Sequence, residues 1–245
     1  MLRPLQLLLL LALTVALLSA GPTTAPNAPQ LGAAKSAGAD DMLTSHLRKL
    51  FTALADPDAA VRQEAYDTLM QIDVAHLPIL QQIVEQTASL QPSQRAVLHE
   101  IVCQVYMAGQ SYPGNPASGF MGVRLWTAEF EGPSIGVEIV ERIPGFGGYA
   151  AFRNGDIITA LLSDPPIPLL EPADLMELVN HSFHAGQFLV FDVLRQGKHI
   201  HVLVRLMPYP EQNLDLVREL SATRSEAAQQ YWDAHFAPLL DRNPI

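Results

Sequence analysis

The 245-residue sequence predicts an α+β protein: an all-helical unit, then a strand-rich domain, then a closing helix. Three observations predict it. From Asp40 to Gly109, apolar residues recur at spacings of three and four, the period of helices with one buried face. Beyond the loop-like stretch "SYPGNPASG" at 111–119 they shift to short apolar or alternating runs bounded by turn residues, the pattern of strands. Over 211–245 the helical spacing returns. Helices and strands that are grouped rather than alternating argue against a parallel, doubly wound sheet.

The chain opens on "MLRPLQLLLLLALTVALLSA", apolar from Leu7 to Leu18 apart from Thr14. A membrane span wants about 20 apolar residues, so this run suits the core of a signal peptide better. Small residues Ser19, Ala20 and Gly21 follow, and we expect a signal peptide over residues 1–21. The protein is then exported, periplasmic or extracellular. The alternative is an uncleaved anchor over residues 5–20, the one case in which a membrane is a partner. Residues 22–39 are rich in Pro, Ala, Thr and Gly without periodicity and read as a flexible linker.

The formal net charge is −10, and removing residues 1–21 takes away one Arg and no acid. An acidic chain without a Lys/Arg cluster repels phosphates, which excludes nucleic acid as a partner. The single cysteine, Cys103, can form neither an internal disulfide nor a cysteine-based zinc site, and it falls in an apolar helical pattern.

Within the helical unit, 40–110, Leu43, Leu47, Leu50, Phe51 and Leu54 make the first stripe. "DPD" at 56–58 stops one helix and starts the next, with Asp56 or Asp58 able to cap it. Val61, Ala65, Leu69 and Ile72 form the second stripe, and Leu80, Ile83, Val84 and Thr87 the third. Val97, Ile101, Val102 and Val105 form the fourth. Residues 54–80 resemble a HEAT-type helical hairpin in Asp58, Val61, Arg62, Ala65 and Leu69. The likeness covers one repeat where a solenoid needs at least about three, so we expect a small HEAT-like unit and not a long array.

The strand region contains "IPGFGGYAAFRNGDIITAL" at 143–161, whose Gly145, Gly147 and Ala150 fit the dinucleotide fingerprint G-x-G-x-x-G/A. The context fails: Asn154-Gly155 ends any helix within two turns, and no second βαβ unit follows. No cofactor is expected.

Three blocks resemble a bacterial PDZ domain of the type attached to HtrA serine proteases, over residues 118–208. "SGFMGVRL" resembles the carboxylate-binding loop and the start of the peptide-binding strand. "GVEIVERIPGFGGYAAFRNGDIITAL" resembles strand, Pro-Gly, short helix and the turn into the next strand. "ADLMELVNHSFHAGQFLVFDVLRQGKHIHVLVRL" resembles helix, Gly turn and closing hairpin. The likeness implies a small antiparallel, partly open β-barrel with two helices that binds peptides by strand addition. It further implies that Gly119 and Gly122 shape a loop whose Phe120, Met121 and Gly122 amides hold a terminal carboxylate. Met121 and Val123 would floor the pocket for the last side chain, and Leu175, Leu178 and Val179 would wall it. No Lys or Arg lies between Arg95 and Arg124, so the carboxylate would rely on amides and on whatever Arg124 offers. Leu175 stands where family members that prefer Ser or Thr carry His. The expected partners are protein C-termini or extended peptides, apolar at the last position and two before it.

A linked protease is not expected. Helical sequence precedes the strand region, and Ser118 lacks a Gly-x-Ser-Gly-Gly turn. His199 and His201 alternate on one strand face with no third ligand evident. His181 and His184 sit at a helix end, where they complement the dipole. The sequence therefore reads as a non-enzymatic, exported peptide-binding protein. The alternative is a membrane-anchored adaptor in an envelope proteolysis or secretion assembly, with the strand domain structural.

Overall fold

The computed structural model describes residues 33–129, 134–211 and 214–241. The expected signal peptide and most of the expected linker lie outside them. No described helix is long and apolar enough to cross a membrane. The chain divides into two compact units, Met1–Asp40 and Asp41–Ile245, and the second contains every described strand.

Helix α1 spans Ala33–Ala53, so the last residues of the expected linker are helical. Four alanines among residues 33–39 favour helix strongly enough to absorb Gly38. Its stripe buries Leu47, Phe51 and, just past the helix end, Leu54. Helix α2 spans Ala59–Leu69, and of the two candidate caps it is Asp58 that accepts from Ala60 N, at 2.8 Å. Asp56 instead accepts from Asp58 N, and Arg62 donates to the carbonyls of Asp56 and Pro57. Val61 is exposed rather than part of the stripe, and Ile72 lies beyond the helix. A 3₁₀ turn at Val74–His76, capped by Asp73, leads into α3 (Leu77–Gln86), and α4 covers Pro92–Gly109. Cys103 is half-buried on α4, and burial pushes its thiol up to about 11.

Among the described residues eight strands follow. β1 (Gly114–Phe120) pairs, among the described residues, with β8 (Met207–Pro210) alone, an antiparallel ribbon with an irregularity between Asn115 and Gly119. The expected loop at 111–119, rich in Pro and Gly, is mostly strand. Backbone pairing overrides that composition, helped by Tyr112 Oη donating to Pro208 O at 2.6 Å. The main sheet runs in the order β2 (Val123–Glu129), β3 (Ser134–Arg142), β4 (Ile157–Leu161), β6 (Phe188–Arg195), β7 (Lys198–Arg205), all antiparallel. The two-residue β5 (Ile167–Pro168) hangs off β4. The one-turn helix α5 (Gly147–Ala151) joins β3 to β4, and α6 (Pro172–Ser182) joins β5 to β6. Glu171 and Asp174 cap α6 reciprocally, which sets its start at the proline.

One sheet face carries the strand core, with Val137, Ile139, Ile158, Phe191, Val193 and Val204 packed against Leu175 and Val179 of α6. The opposite face carries Trp126, 68% exposed, together with His199 and His201. On that face Asp192 accepts from Thr159 and His199, at 2.6 and 2.8 Å. Burial raises the Asp192 carboxyl, but the hydrogen bonds from Thr159 and His199 together with the nearby His199 and His201 bring the net shift downward.

The C-terminal segment forms α7 (Leu214–His235) and α8 (Ala237–Asp241). Trp232, Phe236 and Leu239 are buried in the core built by α1–α4. Tyr231 stacks on Tyr106 of α4 at 4.5 Å, and His99 meets the Trp232 ring edge-on at 4.9 Å. Ala150 of α5 enters the same core, so helices from both ends of the chain share one interior with an element of the strand domain.

Candidate functional site

β2 ends the main sheet. Among the described residues it pairs with β3 alone, which leaves its other side as an open edge. Side chains alternate across the sheet. Arg124 and Trp126 point to the exposed face, while Val123 and Leu125 point to the core side and are half-buried there. Leu178 of α6 is also half-buried and packs on the same cluster. These three leave an apolar strip beside the open edge. The sequence reading named Val123 and Leu178 but missed Leu125, which alternation places two residues along β2 on the same side as Val123.

The other expected site residues fall elsewhere. Leu175 and Val179 are 0% and 3% exposed and belong to the core beneath the strip. Met121, 5% exposed, joins that core. Gly119 sits under α6: its N–H donates to Phe183 O at 2.9 Å, and a Cβ there would lie 2.5 Å from Leu206 Cδ1. Phe120 belongs to β1, opposite Met207, so the expected loop shrinks to a two-residue turn, Met121-Gly122, before β2. Arg124 turns to Glu141 on the exposed face, at 3.1 Å, where Arg218 reaches the same carboxylate at 3.0 Å.

The turn is built by contacts from one segment. Gly148 N donates to Met121 O and Ile143 N to Gly122 O, both at 2.8 Å. In a trans peptide the carbonyl of one residue and the N–H of the next point in opposite directions. With both carbonyls directed at α5 and at the end of β3, the N–H groups of Gly122 and Val123 point the other way, toward the open edge. Gly122 has φ +73°, and a Cβ on it would lie 2.2 Å from Phe146 Cβ. Only glycine meets both conditions. Gly122→Ala is therefore expected to lower stability by about 2–3 kcal/mol, from left-handed backbone strain and overpacking. Urea unfolding measures it, and an unchanged midpoint contradicts the close approach of Phe146 beneath Gly122.

Among the described residues no group of three or more His, Cys, Asp or Glu side chains could hold a metal ion. His184 Nδ1 lies 2.8 Å from Ala117 O, and His181 occupies the last turn of α6.

The mixed helices, the antiparallel sheet with one open edge and the helix beside that edge are compatible with a PDZ-like α+β fold.

No family model and no curated protein matches the chain. Among solved structures it is similar to an HtrA-type protease, AlgW, with decapeptide, at 16% identity and a TM-score of 0.35. That likeness covers 51% of this chain and 42% of the other. A variant of the same protease with decapeptide gives 17% identity and a TM-score of 0.34, covering 51% and 40%. The chain thus spans less than half the length of these structures.

Proposed function

We propose that this chain is a non-enzymatic, exported protein that captures C-terminal or extended peptide segments by adding them as a strand beside β2. The observation that carries the reading is the open β2 edge, with the Gly122 and Val123 amides turned toward it and the strip Val123, Leu125 and Leu178 alongside. An added strand would hydrogen-bond along the edge, and a terminal carboxylate would take the two converging N–H groups. The apolar strip favours apolar ligand side chains at the last position and two before it. We read α1–α4 as the HEAT-like unit, a reading supported by Arg62 closing on the loop before α2.

A C-terminal peptide library screened on the whole chain tests this. Leu178→Glu is the informative variant, because Leu178 is only half-buried and lines the strip. Burying a carboxylate against an apolar ligand residue is expected to weaken binding roughly tenfold or more while the fold survives. Unchanged affinity for Leu178→Glu, or a strict Ser/Thr preference in the selected peptides, overturns the site. Met121→Glu is a poor control, since it places a charge inside the core.

A further inference from the structure

The corner Pro144-Gly145-Phe146 lies in the strand domain, yet its polar backbone atoms are met by buried side chains from helices outside it. Ser221 Oγ of α7 donates to Pro144 O at 3.1 Å. Gln104 of α4 accepts from Gly145 N at 2.7 Å and donates to Phe146 O at 3.0 Å. Arg224 of α7 donates to Gly145 O at 2.8 Å and also to Met107 O at the end of α4. All three side chains belong to buried residues, with Gln104 1% exposed.

Arg224 is the anomalous member. It lies over the rings of Tyr112 and Phe146 at 5.0 and 5.1 Å, and among the described residues its Nε and Nη1 find no hydrogen-bond acceptor. Burial pulls its pKa down. Taking a guanidinium out of water with two donors unsatisfied costs more than an apolar side chain of similar size would. Stability alone does not account for it; what the guanidinium adds is a fixed geometry for the corner and for the C-terminal end of α4.

The corner in turn supports the Met121-Gly122 turn. The Phe146 ring is fully buried, meets Phe120 and Tyr112 edge-on at 5.1 and 5.6 Å, and its Cβ sits under Gly122. Both hydrogen bonds that direct the carbonyls of the turn come from residues 143 and 148, on either side of the corner.

Resting on the peptide-binding reading above, we propose that Gln104, Ser221 and Arg224 are positioning residues for that site, and that helices α4 and α7 set the direction of the Gly122 and Val123 amides through the Pro144–Phe146 corner. The peptide site is therefore completed by the helical body, and a ligand at the β2 edge and the packing of α7 are thermodynamically linked. The linkage runs both ways: peptide binding stabilises α7 as much as ordered α7 strengthens binding.

The experiment uses the whole chain and the tightest peptide from the library screen, with Arg224→Met, Arg224→Lys and Ser221→Ala. The readouts are peptide affinity, amide exchange at Gly122, Val123 and Gly148, and cooperative unfolding. Arg224→Met is expected to weaken the peptide roughly tenfold and to speed exchange at those amides. Arg224→Lys, which keeps a donor for Gly145 O, is expected to recover part of both. Ser221→Ala removes one hydroxyl, so it carries the test if Arg224→Met does not fold; a severalfold loss of affinity is expected. Wild-type peptide binding with folded variants of unchanged affinity and exchange overturns the positioning role and leaves the site standing. A wild-type chain that binds no peptide overturns both.

Discussion

Asp156→Ala is expected to cost about 3–5 kcal/mol, the usual loss when one member of a buried ion pair is removed. Asp156 is 1% exposed. Its two oxygens receive Arg195 Nε at 2.8 Å and Nη2 at 2.6 Å, a bidentate pair, and Oδ2 also accepts from Arg153 N at 2.7 Å. Arg195 Nη2 further donates to Ala151 O at 3.2 Å. The pair thus ties the end of β6 to α5 and to the turn that opens β4. With alanine at 156 the guanidinium remains largely buried without its counter-charge, and the Arg153 amide loses its acceptor. Chemical denaturation measures the loss. A double variant, Asp156→Leu with Arg195→Met, is expected to regain most of it, because no charge is then left unpaired. A single variant as stable as the double one refutes the role of the pair.

Phe236→Ala is expected to cost about 3–5 kcal/mol as well, as for other fully buried aromatics truncated in a core. Phe236 is 0% exposed and stacks nearly parallel on Trp232, with ring centroids 5.7 Å apart. Both lie in the core of α1–α4, although about 130 residues of chain separate them from α4. For a chain of this size the loss corresponds to a melting shift of roughly 6–20 °C. The shift is expected in the far-ultraviolet signal of all helices together, since α7 closes their common interior. A shift confined to a minor fraction of the helical signal would mean that α7 and α8 are an appendage.

Much of the fold was legible because its signals are local. The stripes of α1, α3 and α4 and the runs that became β2, β3, β4, β6 and β7 each declare their period within one element. β1 was not legible: a strand held by backbone pairing to β8 needs no apolar alternation, and its Pro and Gly mimic a loop. The start of α1 was hidden likewise, by a composition shared between linkers and alanine-rich helices. Val123 and Leu178 were named through the resemblance, and the fold leaves both half-buried beside the edge of β2. The burial of Met121, Leu175 and Val179 and the turn of Arg124 to Glu141 depend on which face each element presents to the core.

The glycine-rich stretch 143–148 divides these contributions most clearly. By itself the sequence determined that it is a corner, because Asn154-Gly155 ends the helix after it within two turns. Why the corner needs glycine only the tertiary structure decided. Gly145 has φ +82°, and a Cβ there would lie 2.9 Å from Met107 Cβ and 3.0 Å from Arg224 Nη2. Those two neighbours come from α4 and α7, 38 residues before and 79 residues after it. Periodicity and turn chemistry are written in neighbouring residues, so sequence determined the elements and their order. Contacts between segments this far apart arise only when cores close, so only the folded chain decided what supports the open edge of β2.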